Sequence, residues 1–363
     1  MVVPAYNAEA TIDETLRSVR RQTHRDLEVV VVDDGSTDRT AERAAAHAAE
    51  DSRIRLLRTA NGGVAAARNA GIRASAGALI APVDADDLWH PDKIARQVAA
   101  MQSGGDEMAY VYTGFRRIRG DGRVMGQGSF HDCRGRVFLR AVFSNFVGNG
   151  SALLFRRAAI EAVGGYEPAL HRMGCQGAED RLVQILMARH GLVGAVPGGL
   201  TGYRQLRGAM SKDQLRMLRS QIAVTRMVAS RHPETPGWVL DATLAYLEVR
   251  MAVELGRRGR PAAALAALGR AGARAPRVAR TELAIQAPEI ARRAGRLARR
   301  LVAEDARPPA DAPAFDALEP EASMRRPAQP DPYRWVHERL AAQEAAIERA
   351  PRPASAAVAG DPA

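Results

Sequence analysis

Val83-Asp84-Ala85-Asp86-Asp87-Leu88-Trp89 is the stretch on which the reading of this 363-residue chain turns. It follows Ala78-Leu79-Ile80-Ala81-Pro82, an apolar run that reads as a buried strand. Carboxylates packed this tightly at a strand's end repel one another and resist desolvation. Two arrangements relieve that repulsion. In one, the stretch is a solvated acidic turn that also caps the next helix, with Pro91 near its start. In the other, a hard divalent cation with oxygen ligands draws the carboxylates together. The rest of the chain decides between them.

Upstream, strand and helix patterns alternate. Met1 to Asn7 reads as a strand end and a turn. The strand is short, which leaves open a natural start upstream. Ala10 to Gln22 carries Ile12, Leu16 and Val19 at helical spacing. Leu27 to Val32 is a β-branched run of the kind covered on both faces in a parallel sheet. It stops at Asp33-Asp34-Gly35-Ser36-Thr37-Asp38, where Ser36 or Thr37 is expected to cap a helix reaching Glu50. Ile54 to Leu57 reads as a third strand. Asn61-Gly62-Gly63 turns into a helix holding Arg68 and Asn69, and Leu79 to Val83 is the fourth strand. This alternation predicts an α/β domain with a mostly parallel sheet. Ligands of such sheets bind beyond the carboxyl ends of the strands. Tyr6, Asp33, Asp34, Asn61 and Asp84 all fall at such ends, so acidic residues from separate strands are expected to share one crevice.

Downstream, a helix from Pro91 to Met101 leads to a strand at Ala109 to Phe115 and a turn at Gly120-Asp121-Gly122. A helix is expected at Phe138 to Phe146. Asn149-Gly150-Ser151 precedes a strand at Ala152 to Phe155, and a helix at Ala158 to Val163 ends at Gly164-Gly165. Glu179-Asp180 opens a helix that ends at Gly191. Val193 to Pro197 and Gly202 to Arg204 read as final strands. The domain 1–212 is then followed by helices over 213–305, at Leu215 to Arg231, Trp238 to Arg257, Pro261 to Arg274 and Ala279 to Ala303. Recurrent prolines from Arg307 to Pro332 mark a disordered linker, so 306–363 is expected to be a largely disordered tail with a short helix at Trp335 to Arg349.

Composition narrows the function. Lys+Arg 52 against Asp+Glu 41 gives a net charge of +11, which suits phosphate-bearing ligands, an anionic membrane surface or nucleic acid. Aromatics at 5% argue against stacking platforms for single-stranded nucleic acid. Between Arg257 and Arg300 the arginines alternate with alanines and acids, as on a solvated helical face, and this too argues against nucleic acid. Two cysteines, Cys133 and Cys175, build no disulfide framework and fit a reducing cytoplasm. No two histidines stand at zinc-site spacing. No apolar run spans a bilayer, and no basic-then-apolar leader opens the chain, so neither an anchor nor a signal peptide is expected. Gly148-x-Gly150 lacks the third glycine of a dinucleotide fingerprint.

Five stretches together resemble the family 2 glycosyltransferases, inverting enzymes of GT-A fold. They are Pro4-Ala5-Tyr6-Asn7, Val31 to Asp38, Asn61-Gly62-Gly63 with Ala67-Arg68-Asn69-Ala70-Gly71, Asp84-Ala85-Asp86-Asp87, and Glu179-Asp180. They occur in the family's order over roughly the first 212 residues. The resemblance implies a UDP-, dTDP- or GDP-sugar donor and Mg²⁺ or Mn²⁺. It implies Pro4, Tyr6 and Glu9 beside base and ribose, and Asp33 or Asp34 accepting from the nucleobase. Arg68 would approach base or diphosphate, and Asp84 and Ala85 would lie near the ribose. Asp86 would be the metal ligand, with Asp84 or Asp87 as a second. Asp180 would be the general base, ionised because the helix dipole lowers its pKa, and Glu179 would orient acceptor or base. Trp89, Asn149 and Gly150 are candidates for the acceptor side. Trp89 also fits a hydrophobic anchor beside the acidic loop.

Such chemistry asks for these residue types. Departure of a sugar from a nucleoside diphosphate leaves charge on the β-phosphate that a divalent cation stabilises. The acceptor hydroxyl loses its proton to a carboxylate within reach. One departure stands out: many relatives carry a histidine in the segment matching Tyr203 to Ser211, where this chain has Leu206. Arg204 or Arg207 would then neutralise phosphate instead. The expected function is hexosyl transfer in the cytoplasm, on the inner face of the membrane, to a cell-envelope glycan or lipid-linked acceptor. The competing expectation is a non-catalytic scaffold of the same fold that docks on membrane or a protein through its basic C-terminal helices.

Overall fold

The computed structural model describes residues 1–206, 212–299, 312–321, 324–325 and 331–349. Three parallel strands form the first sheet: β1 (Val2–Ala5), β2 (Val29–Asp33) and β3 (Ile54–Arg58), with β2 in the middle. Every residue of β2 is buried, as a valine run covered on both faces requires. The crossovers are α1 (Ile12–Arg20) and α2 (Thr40–Glu50), and α3 (Val64–Ala74) leads on from β3. Helix α2 is capped by Asp38, whose Oδ1 accepts from Thr40 N at 2.9 Å. The expected caps, Ser36 and Thr37, bond to Asn7 instead.

The next strand is shorter than its apolar run. Only β4 (Leu79–Ile80) pairs as a ladder, with β8 (Leu153–Arg156). Beyond it, Ala81 O accepts from Val2 N and Val83 N donates to Val2 O, both at 3.0 Å. The acidic loop is thereby hung from the edge of β1. After the loop come β5 (Leu88–Trp89), α4 (Lys93–Ser103), β6 (Met108–Ile118), β7 (Gly128–Ser129) and α5 (Phe138–Phe143). Past β8 follow α6 (Arg157–Ala162), α7 (Ala169–Arg172), α8 (Glu179–His190) and β9 (Leu192–Arg204).

This second sheet is mixed. Strand β6 runs parallel to β9 and antiparallel to β7 and β8, and β5 runs antiparallel to β9. The two expected final strands are one, β9. Thr113 pairs with Val196 and Gly114 with Gly199, so Pro197 and Gly198 bulge out without ending the strand.

The C-terminal helices are α9 (Gln214–Arg231), α10 (Gly237–Arg257), α11 (Pro261–Arg274), α12 (Pro276–Arg299) and α13 (Arg334–Arg349). One apolar cluster runs from β6, β8 and α8 into α9, α10 and α13, so the extension shares a core with the sheet. Against the expectation of a disordered linker, Phe315 is buried and β10 (Met324–Arg325) pairs with β7. A large aromatic with apolar partners outweighs the local proline content there. The remainder of the expected tail, 306–311, 322–323, 326–330 and 350–363, lies outside the described residues. Among the described residues no helix is long and apolar enough to cross a membrane.

Candidate active site

The carboxyl ends of β1 and β2, the turn before α3, the acidic loop and the start of α8 open onto one cavity of about 670 Å³. Pro4 and Tyr6 line it, with Tyr6 exposed at its mouth. Asn7 adopts a positive φ of 48°, which asparagine tolerates. Its Oδ1 accepts from Thr37 N at 2.9 Å and its N donates to Ser36 Oγ at 3.0 Å, which locks the loops after β1 and β2 together. Glu9 does not line the cavity. Its Oε2 accepts from Arg39 N at 3.1 Å, so it serves the start of α2.

The two aspartates after β2 divide their tasks. Asp33 is buried; its Oδ1 accepts from Ser36 N at 3.2 Å and its Oδ2 faces Arg58 Nε at 3.4 Å. It is not on the cavity wall. Asp34 is, and its two oxygens accept from Gly62 N at 2.9 Å and Gly63 N at 2.8 Å. Gly63 has φ +84° and opens α3, and His171 lies where its side chain would be.

In the acidic loop each carboxylate has a different environment. Asp84 pairs with the buried Arg68 at 2.5 Å, and its N donates to Ser151 Oγ at 3.0 Å. Asp87 is fully buried. Its Oδ2 accepts from Ser151 Oγ at 2.6 Å and Asn149 Nδ2 at 3.0 Å, and its Oδ1 from Arg204 N at 3.0 Å. Asp87 is therefore a brace between the loop, the 149–151 turn and β9, and it does not line the cavity. Ala85 lines the cavity, and its carbonyl accepts from Thr15 Oγ1 at 3.0 Å. Trp89 is buried, with Lys93 Nζ 4.1 Å from its ring centroid and its Nε1 donating to Ser151 O at 2.9 Å. It anchors the loop and does not line the cavity.

Asp86, alone among the three, lines the cavity with no side-chain hydrogen bond from another residue among the described residues. Burial, and then the neighbouring Asp84, push its carboxyl up to about 6. A carboxylate in that state fits a small hard cation. Among the described residues no group of three or more His, Cys, Asp or Glu side chains converges on a cation position. Asp86, with Asp84 beside it on the cavity wall, could hold a divalent cation whose other positions are taken by phosphate and water.

Across the cavity, Asp180 stands at the start of α8 with its Oδ1 accepting from Arg181 N at 2.8 Å. A Cβ on Gly150 would lie 3.3 Å from Asp180 Oδ2 and 3.4 Å from Arg68 Nη2, so the bare glycine keeps those two groups together. Burial pushes the Asp180 carboxyl up to about 6, with Arg68 opposing the shift and Glu179 adding to it. The expected lowering by the helix dipole is overridden by desolvation. Glu179 Oε2 accepts from Gly177 N at 2.8 Å, while its Oε1 is buried with no hydrogen-bond partner among the described residues.

The family model described as Glycosyl transferase family 2 matches residues 1–164. Those residues belong to glycosyl transferase family 2. Among curated relatives, an uncharacterized glycosyltransferase of Bacillus subtilis, EpsJ, is 47% identical over 24% of this chain and 25% of its own length. A putative glycosyltransferase of the same organism, EpsH, is 32% identical over 45% and 48%. The UDP-Glc:alpha-D-GlcNAc-diphosphoundecaprenol beta-1,3-glucosyltransferase WfgD of Escherichia coli is 34% identical over 34% and 48%. The chain thus spans a quarter to a half of these relatives. Among solved structures, S. aureus TarS 1-349 in complex with UDP-GlcNAc superposes with a TM-score of 0.55 at 19% identity, over 76% of this chain and 81% of that one. The mannosyltransferase PcManGT from Pyrobaculum calidifontis, in complex with GDP-Man and Mn²⁺, gives 0.52 at 23% identity over 79% and 78%. The fold is GT-A.

Around the family 2 domain the structure adds residues that the sequence did not mark. Tyr166 is buried with Arg68 stacked 5.1 Å from its ring centroid. Asn69 holds it in place, donating to Tyr166 O and accepting from Tyr166 N, both at 2.8 Å. Gln176, Met217 and Gln221 complete the wall beside Asp180. Arg204 is not free for phosphate: it pairs with Glu14 at 2.6 Å and donates to Asp86 O at 2.7 Å. Leu206 lines the cavity, and Arg207 to Ser211 lie outside the described residues.

Proposed function

We propose that this protein is an inverting glycosyltransferase that moves a sugar from a nucleoside diphosphate to an acceptor hydroxyl. The observation that carries the reading is that Asp86 and Asp180, ninety-four positions apart in the chain, line the same cavity. Tyr6 and Asp34, which line the cavity, would border the base and ribose, and Asp84 and Arg68, which line it too, would lie near the ribose and diphosphate. Mg²⁺ or Mn²⁺ held by Asp86, with Asp84 beside it, would offset the charge left on the departing diphosphate. Asp180 accepts the proton of the acceptor hydroxyl as that oxygen bonds to the anomeric carbon and the carbon–phosphate-oxygen bond breaks. Attack from the face opposite the diphosphate inverts the anomeric centre. With its pKa near 6, Asp180 is ionised at neutral pH and still basic enough to take a proton. Arg68, paired with Asp84, also favours the ionised form of Asp180.

A cell-envelope glycan or a lipid-linked sugar is the proposed acceptor class, supported by the diphosphoundecaprenol-linked substrate in the name of one relative. Between Arg257 and Arg300 twelve arginines stand against two glutamates. That concentration supports peripheral contact with the anionic inner face of a membrane. A thermal-shift screen of UDP-, dTDP- and GDP-sugars with Mn²⁺ tests donor binding, since a ligand of the folded state raises the melting temperature. A shift with one nucleotide class, followed by sugar transfer or donor hydrolysis, is expected. No shift and no turnover with any donor would refute the reading.

A further inference from the structure

Residues 312–321 and 324–325 return to the sheet more than a hundred residues after β9, and the cluster around Phe315 packs beside the acidic loop. Phe315 is buried with Ile118 and Val124, and Leu88 and Leu318 pack against the same cluster. A Cβ on Gly202 would lie 3.1 Å from its ring, so glycine makes room for it. Backbone bonds fix its place: Phe315 N donates to Gly122 O at 3.3 Å, and Val124 N donates to Pro313 O at 3.0 Å. Further along, Gly199 N donates to Pro320 O at 2.7 Å, and the buried Arg116 donates to Glu319 O at 2.6 Å and Pro320 O at 3.0 Å. Met324 fills a slot floored by glycines, for a Cβ on Gly114, Gly128 or Gly199 would come 2.7, 2.3 or 2.8 Å from its Sδ or Cε.

What this strap presses on is the turn after β6. The carbonyls of Arg119 and Gly120 accept from Arg204 Nη1. Arg204 in turn donates Nε to Asp86 O and its backbone N to Asp87 Oδ1. Leu88, in the Phe315 cluster, pairs with Gly202 in the two-residue strand β5 that ends the acidic loop. So short a strand has little ladder of its own, and side-chain packing holds it.

We propose that residues 312–321 and 324–325 brace the acidic loop in cis, and that Phe315 is a positioning residue for Asp86. It acts through Leu88 directly and through the 119–123 turn and Arg204. The kinetic part of this inference rests on the proposed function; the structural part does not. The test compares Phe315→Ala and Phe315→Leu with the parent in the full chain, by amide hydrogen exchange and, where turnover is measured, by donor kinetics with Mn²⁺. In Phe315→Ala, amides of 84–90 should exchange about tenfold faster or more, while those of β2 stay unchanged. The donor KM should rise about tenfold with kcat changed much less, and leucine should restore most of both. Unchanged exchange at 84–90, or equal acceleration in β2, would overturn the brace. A loosened loop with an unaltered donor KM would overturn the positioning role. A parent protein that turns over no donor refutes the proposed function, and the exchange comparison then decides the brace alone.

Discussion

Asp180→Asn should slow transfer and stabilise the fold at once, because the same burial that tunes this carboxylate also penalises its charge. Its carboxyl is held at about 6 against an ordinary 3.8. At 1.36 kcal/mol per pH unit that is about 3 kcal/mol, a ceiling because the side chain meets cavity water. The folded-state pKa lies above the unfolded one. The penalty is therefore absent below about pH 4, grows as the pH rises through about 6, and is complete above it. An amide carries no such penalty but forfeits the attraction to Arg68, so a net gain of about 1–2 kcal/mol is expected at pH 8. That corresponds to roughly 2–6 °C in melting temperature. The gain should vanish by about pH 4. Transfer should fall by about 10²–10⁴-fold, the worth of a general base. The parent's kcat/KM should fall as the pH drops below about 6, where Asp180 takes up a proton. Melting curves from pH 4 to 8 and the transfer rates of parent and variant make the measurement. A variant as active as the parent would refute the base assignment. A lower melting temperature at pH 8 would refute the burial argument.

Two further substitutions probe the surroundings. Asp87→Ala should destabilise the protein by about 3 kcal/mol in urea titration, because Asn149 Nδ2, Ser151 Oγ and Arg204 N lose their buried acceptor together. Gly150→Ala should cut transfer by roughly tenfold or more with little change in melting temperature, since its methyl group would meet Asp180 and Arg68 at 3.3–3.4 Å and part them.

Much of the first sheet and of the loops at its carboxyl edge was legible because its signals are local. The valine run of β2, the Asn61-Gly62-Gly63 turn and the acidic loop each announce themselves within a few residues. What stayed hidden depends on distant partners. Nothing near Asp87 says that it is spoken for by Asn149, Ser151 and Arg204, while Asp86 beside it is not. Trp89 next to carboxylates reads equally as a sugar platform or an anchor until its Nε1 is seen to meet Ser151 O. Asp180 at a helix start suggests a lowered pKa, and only the packed site shows desolvation outweighing the dipole. The strap was lost to its prolines: composition favours disorder there, and one buried phenylalanine with glycines opposite reverses it.

The most direct test of the account is anomalous diffraction from crystals grown with Mn²⁺ and the nucleoside diphosphate found by thermal shift. A manganese peak about 2.1 Å from an Asp86 carboxylate oxygen, with the diphosphate bound to it and its free end directed at Asp180, is the predicted result. Manganese bound away from Asp86, or a nucleotide seated outside the cavity that Asp86 and Asp180 share, would contradict it.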